Sequence, residues 1–108
     1  MTPEHAEAWW CEHPEIGRRP VIVLSRSSAV SARRRAVVAP CTTVHRGLPS
    51  EVELDPKVDP VPRACVVATD SLESVPASLL LERLGRLADN RMREVCAAIA
   101  VSLDCSGG

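Results

Sequence analysis

The chain has 108 residues and a formal net charge of −1, and hydrophobic residues make up 45% of it. A chain of this length folds as one domain, 1–108, around one modest core and leaves no room for a separate cofactor domain. Phe and Tyr are absent and Trp9 and Trp10 are the only aromatics, which argues against an RNA-recognition sheet with several stacking rings. No apolar run approaches the ~20 residues of a membrane span and no cationic leader precedes one, so a soluble, cytoplasmic protein with no membrane association is expected.

In chain order, residues 6–11 read as a first strand, followed by a polar connection over 12–17 in which Pro14 and Gly17 break regular pairing. The uninterrupted apolar run of strand 19–25 calls for burial on both faces or a tight barrel wall. Small polar residues over 26–32 suggest a turn or a single helical turn before a third strand at 34–40. A loop over 44–49 leads to 50–54, whose alternation of polar and apolar residues marks a half-exposed strand. Three prolines and few apolar residues make 55–63 a mobile loop. Residues 64–69 form another apolar strand, which ends at Asp70-Ser71-Leu72-Glu73-Ser74. Residues 76–80 form a short helix entered through proline, and 82–87 a last strand. From Asp89 onward Met92, Val95, Cys96, Ile99 and Leu103 recur at helical spacing, with Asp89 or Asn90 placed to cap the helix. Residues 104–108 are expected to be a disordered tail. Many short strands and one terminal helix predict a mainly β fold, a small, strongly bent antiparallel barrel closed by a C-terminal helix.

The positive charge is almost all arginine, with Lys57 the only lysine. Arginine binds phosphate through a planar fork that lysine lacks. Arg18-Arg19, Arg33-Arg34-Arg35 and Arg46 cluster near strand ends. The run at 33–35 suits either a phosphate contact or a solvated turn. Five cysteines, an odd number with no C-x-x-C spacing, indicate neither a disulfide framework nor a zinc site, so no metal and no cofactor are expected.

Two strands each carry a polar group at one end: Arg19 enters the second, and Thr42 and Thr43 leave the third. A guanidinium beside a hydroxyl is chemistry suited to a phosphate. His45, a few side chains beyond Thr42, carries an imidazole, the side chain type suited to proton transfer at physiological pH, and is either an acid–base candidate or an exposed loop histidine.

The order Trp9-Trp10, then Gly17-Arg18-Arg19-Pro20-Val21-Ile22-Val23-Leu24-Ser25, then Pro40-Cys41-Thr42-Thr43 with Arg46-Gly47-Leu48-Pro49, resembles the MazF/PemK family of toxin endoribonucleases. Val66-Val67-Ala68-Thr69-Asp70-Ser71-Leu72 and Arg83-Leu84-Gly85-Arg86-Leu87 are similar to that family's later strands, and the likeness covers roughly residues 5–103. It implies an SH3-like barrel and a homodimer. It also implies metal-independent cleavage of single-stranded RNA by attack of the 2′-OH, leaving 2′,3′-cyclic phosphate and 5′-OH ends and arresting growth. A cognate antitoxin with an acidic disordered tail would silence the toxin.

By position the resemblance makes Arg19 and Thr42 the catalytic pair. RNA contacts would come from Arg18, Thr43, His45, Arg46, Asp70 and Ser71. The chain departs from the family pattern at three places: Ala6 replaces a glycine, Ser71 an amide residue, and Glu73 an arginine. A gyrase-trapping poison of the related CcdB type, needing neither Arg19 nor Thr42, and a degenerate module that binds only antitoxin or nucleic acid are the alternatives.

Overall fold

The computed structural model describes residues 2–15 and 17–104, and in it the β-branched runs become the middle of one antiparallel sheet. Strands β1 (Glu7–His13), β2 (Gly17–Val23) and β3 (Arg35–Thr42) lie side by side, with helix α1 (Ser27–Arg33) linking the last two. Strands β4 (Glu51–Leu54) and β5 (Cys65–Ala68) extend the sheet beyond β3, β6 (Glu73–Pro76) pairs with the start of β3, and β7 (Leu80–Arg86) pairs with β1. Helix α2 (Asp89–Ser102) closes the fold.

Period-two alternation sends neighbouring side chains to opposite faces, and here both faces are covered. Ala8, Ile22, Ala39, Cys41 and Val67 face α2, whose Met92, Val95 and Ala98 supply the facing stripe. Trp9, Val21, Val23 and Val38 face the other way, with Val30 of α1 and Val75 of β6. The unbroken apolar run in β2 is therefore the mark of two-sided burial. Beyond its pairing with β2, β3 bonds β6 through Arg35 to Val38 and β5 through Cys41 and Thr42. Sharing one edge between two partners gives the sheet the expected strong bend. The pairing path ends at β4 and β7, so hydrogen bonding does not close the barrel.

Several boundaries differ from expectation. β1 runs on to His13, because Glu12 and His13 pair with Arg18 and Gly17 regardless of their polarity. Residues 26–32 contribute to a full seven-residue helix, ended by Arg34 in the left-handed region at φ 55, its N–H bonded to the Val30 carbonyl at 2.7 Å. β6 starts at Glu73, inside the segment 70–74 where the strand 64–69 is expected only to end, since a 3-10 turn at Thr69–Ser71 redirects the chain back along β3. The helix expected over 76–80 is one 3-10 turn, Ala77–Leu79, and β7 starts directly after it. Ala88, not Asp89 or Asn90, is the N-cap of α2, which places Asp89 in the first turn, where its charge favours the helix dipole. The tail expected at 104–108 lies, past Asp104, outside the described residues.

Two departures carry physical consequences. Ala6, standing where the family has glycine, adopts φ 74, a conformation costing an L-residue about 1–2 kcal/mol. Its N–H bonds the Val23 carbonyl at 2.8 Å and its carbonyl accepts from Leu87 at 2.9 Å, so two strand ends hold it there. The Pro-rich segment 55–63, expected to be mobile, is anchored. Asp59 is buried, accepts from Asp55 N–H at 2.8 Å and pairs with Arg91 of α2 at 3.1 Å. Val61 is buried, and Pro60 packs against Gly85.

Candidate active site

Register builds the site. β2 and β3 pair as far as Val21 opposite Pro40, two residues short of Arg19 on one strand and of Thr42 on the other; beyond it Arg19 pairs with Cys11 of β1 and Thr42 with Val66 of β5. Both side chains belong to the sheet face that carries Val21 and Val38. Pro20 follows Arg19 with a fixed φ and no N–H to donate. Thr42 ends β3, where its Oγ1 accepts the Val44 N–H at 3.1 Å. That bond uses hydroxyl acceptor capacity and leaves the O–H proton for a ligand.

Arg19 and Thr42 both line two cavities. One, of about 250 Å³, is bounded by Trp10, Arg18, Cys41, Thr43, Arg63 and Cys65. The other, of about 320 Å³, is bounded by Pro40, Arg46, Glu51, Ala68, Ser71 and Glu73. The registers explain the division: Trp10, Arg18, Cys41, Thr43 and Cys65 project from one face of the sheet, whereas Pro40, Ala68 and Glu73 project from the other. The pair stands where the two faces meet.

The first cavity carries the positive charge. Arg18 stacks its guanidinium over Trp10, 4.8 Å from the ring centroid, and reaches Glu82 at 3.6 Å. Arg63 arrives from the anchored segment 55–63, directly before β5. Cys41 and Cys65 form part of the wall. The hydrogen bond between them and then burial push the Cys41 thiol well up, while the same bond lowers Cys65 against its own burial. Cys41 therefore stays protonated at neutral pH and acts as packing, not as a nucleophile. Burial, with Glu73 nearby, also raises the Cys11 thiol.

In the second cavity the loop after Thr43 is held by one carboxylate. Glu51 accepts Arg46 N–H and Leu48 N–H, both at 3.1 Å. Burial raises its carboxyl, but the backbone bonds from Leu48 and Arg46, with His45 nearby, outweigh that and hold it below the ordinary value. Glu73 Oε2 lies 3.3 Å from His13 Nε2, within ion-pair distance.

Of the residues singled out from sequence, Arg18 and Thr43 join the pair in the first cavity, and Arg46 and Ser71 in the second. His45 and Asp70 line neither. His45 pairs with Glu53 at 3.1 Å and borders the adjoining hollow, which it shares with Thr43. Asp70 sits on the 3-10 turn and accepts the Ser50 hydroxyl. The run 33–35 also lies elsewhere. Arg34 caps α1, and Arg35 donates to Ser74 Oγ at 3.0 Å and to the Ser74 carbonyl at 2.8 Å. Trp10 and Arg63 were missed as site residues, and Glu73 entered only as a departure from the family pattern. For Arg63 the available signal was its position beside a strand that pairs with Thr42. Among the described residues no group of three or more His, Cys, Asp or Glu side chains is arranged to hold a metal ion.

A small bent sheet whose strand ends gather guanidiniums and a hydroxyl donor holds the groups that bind phosphate well. The sequence profile of the PemK-like, MazF-like toxins of type II toxin–antitoxin systems matches residues 5–103. The chain belongs to that family. It is 60% identical over 104 residues to the probable endoribonuclease MazF5 of Mycobacterium tuberculosis, covering 96% of this chain and 95% of that one. Among solved structures it resembles M. tuberculosis toxin MazF-mt6, with a TM-score of 0.79 at 28% identity over 91% of this chain and 96% of that one. It also shares its fold with a mycobacterial endoribonuclease in complex with its cognate antitoxin, with a TM-score of 0.84 at 24% identity over 94% of this chain and 95% of that one.

Proposed function

We propose that this toxin is an endoribonuclease that cuts single-stranded RNA with Arg19 and Thr42 acting on one phosphate. The observation that carries the reading is that these two residues, just beyond the last paired residues of β2 and β3, line the same two cavities. In cleavage without a metal the neighbouring 2′-OH attacks phosphorus, the bond to the 5′ oxygen breaks, and negative charge grows on the non-bridging oxygens. Arg19 meets that charge with two parallel N–H donors, and Thr42 adds its O–H. The products are a 2′,3′-cyclic phosphate and a 5′-hydroxyl end.

Arg18, Arg63 and Trp10 suit the flanking chain: guanidiniums hold neighbouring phosphates and the indole offers a stacking face to a base. Thr43, Arg46 and Ser71 border the same path, and His45 lies one hollow further along, where it would meet a flanking nucleotide. Asp70 would contribute through Ser50 and the 3-10 turn, not by direct contact. The antitoxin complex recorded for a protein of this fold supports a cognate antitoxin here. An acidic disordered tail laid over these arginines would compete with RNA. A homodimer and a cytoplasmic location complete the reading, and among the described residues no helix is long and apolar enough to cross a membrane.

The test is cleavage of single-stranded RNA in the presence of a chelator, with the ends mapped. Wild type is expected to release 5′-hydroxyl ends, and Arg19→Ala to lose at least ~10²-fold in kcat, the cost of removing a preorganised oxyanion donor. Growth arrest that survives Arg19→Ala while supercoiling stops would instead establish a gyrase poison.

A further inference from the structure

We infer that Glu73 is a catalytic residue, the general base that takes the proton from the attacking 2′-OH, and that His13 is its positioning residue. This rests on the endoribonuclease reading above and supplies what the pair lacks. A guanidinium is not deprotonated at physiological pH, and a threonine hydroxyl is no better as a base, so neither Arg19 nor Thr42 accepts the proton readily.

The registers bring the candidates together. Cys11 pairs with Arg19 across β1 and β2, and Val38 pairs with Glu73 across β3 and β6. Period-two alternation then puts His13, Arg19, Thr42 and Glu73 on the same face of the sheet. Two carboxylates border the second cavity with the pair. Glu51 is committed, since both its oxygens accept backbone N–H groups of the loop. Glu73 has one close partner, His13 at Oε2, and its side chain is 37% exposed.

The hydrogen bonding of His13 sets its tautomer. Glu15 N–H donates to His13 Nδ1 at 3.1 Å, so Nδ1 carries no proton and the ring hydrogen lies on Nε2. Nε2 lies 3.3 Å from Glu73 Oε2, within ion-pair distance, and Glu73 lines the cavity that Arg19 and Thr42 also line. Arg35, by clamping Ser74, fixes the strand from which Glu73 projects. A carboxylate in place of the family's arginine thus lies beside His13, on a strand clamped by Arg35, and borders the cavity of the pair.

The step balances. The Glu73 carboxylate takes the 2′-OH proton as the O2′–P bond forms. The P–O5′ bond then breaks on the side away from Glu73, and the 5′ oxygen takes a proton from water. The resulting carboxylic acid returns its proton to solvent.

The experiment uses the full chain, a single-stranded RNA that wild type cuts, and the same oligonucleotide with a 2′-deoxy sugar at the cut for binding. Glu73→Gln is expected to lower kcat about 10²–10⁴-fold, the usual worth of a general base, while binding the deoxy probe at least as tightly, because a negative charge near phosphate is gone. Glu73→Asp, which keeps a carboxylate, stays within about tenfold of wild type if it acts as a base. His13→Leu lowers kcat with KM unchanged, and His13→Gln, whose amide N–H replaces the ring donor, recovers part of the loss. Glu73→Gln cleaving as fast as wild type overturns the proposal, as does equal inactivity of the Gln and Asp variants when both melt like wild type. Arg19→Ala run beside them separates the readings. If it is dead while Glu73→Gln is active, only Glu73 loses its role; if it is fully active, the reading of the pair fails.

Discussion

Replacing Glu7 by glutamine removes a charge that ties the start of β1 to β7. The Glu7 carboxylate is buried and accepts three bonds: Arg83 Nε at 2.6 Å, Trp9 Nε1 at 3.0 Å and Glu4 N–H at 2.9 Å. In Glu7→Gln the amide oxygen keeps the indole and backbone donors, and the amide NH₂ is left facing the Arg83 N–H. The loss of one charge-assisted bond is about 1.5–3 kcal/mol. The ~3–5 kcal/mol typical of stranding a buried charge is not reached, because the Arg83 side chain is 40% exposed and turns to water. About 2–3 kcal/mol corresponds to a Tm lowered by roughly 10–20 °C in a domain of this size.

The effect also depends on pH. Burial raises the Glu7 carboxyl, but the bonds from Arg83, Trp9 and Glu4 outweigh it and hold the group below its ordinary value of 4.5. A carboxylate depressed on folding contributes stability above that value and loses it as pH falls through the lower folded one. Urea unfolding of wild type and Glu7→Gln, at one fixed protein concentration so that assembly does not intrude, checks both parts. The two curves should be well separated at pH 7 and converge in acid. A separation below about 0.5 kcal/mol at pH 7, within the range of inconsequential surface changes, or one that persists unchanged in acid, would refute the reasoning.

Gly85 at φ 154 has Pro60 Cβ only 2.6 Å from where its own Cβ would lie. Gly85→Ala should therefore cost about 1–3 kcal/mol by denaturant titration and, by loosening the segment that delivers Arg63, weaken RNA binding. Thr42→Val keeps the shape and removes the hydroxyl, so cleavage should fall ~10²–10³-fold while Thr42→Ser retains most of it; equal rates for Val and Ser would exclude a donor role. Affinity for RNA and for an acidic antitoxin peptide should fall together as salt rises, and fluorescence anisotropy showing salt-independent RNA binding would remove the arginines from the groove.

Local patterns made part of the molecule legible. The β-branched Val21-Ile22-Val23 and the helical spacing of Met92 and Val95 each report a burial demand that one short stretch expresses alone. That Arg19 and Thr42 come to line the same cavities was legible for a different reason: Arg19-Pro20 and Pro40-x-Thr42 lie on two neighbouring antiparallel strands. What could not be read depends on partners far along the chain. Glu73 and His13 are sixty residues apart in sequence, and nothing near either names the other. Asp59 looks like part of a polar, Pro-rich loop until Arg91 of α2 is placed beside it. β6 has a single buried apolar residue, Val75, and is a strand because β3 offers it a free edge. Arg33-Arg34-Arg35 drew attention as charge, whereas the fold uses Arg34 for its backbone conformation and Arg35 as a strand clamp.

The central claim is that Arg19 and Thr42 share one phosphodiester, and a double-mutant cycle on RNA cleavage tests it most directly. Single-turnover rates for wild type, Arg19→Ala, Thr42→Val and the double variant give the coupling between the two positions. If both side chains stabilise the same developing charge, the double variant should be far more active than the product of the two single losses, approaching the worse single variant. Losses that multiply independently, or a Thr42→Val that leaves the rate unchanged, would contradict the account.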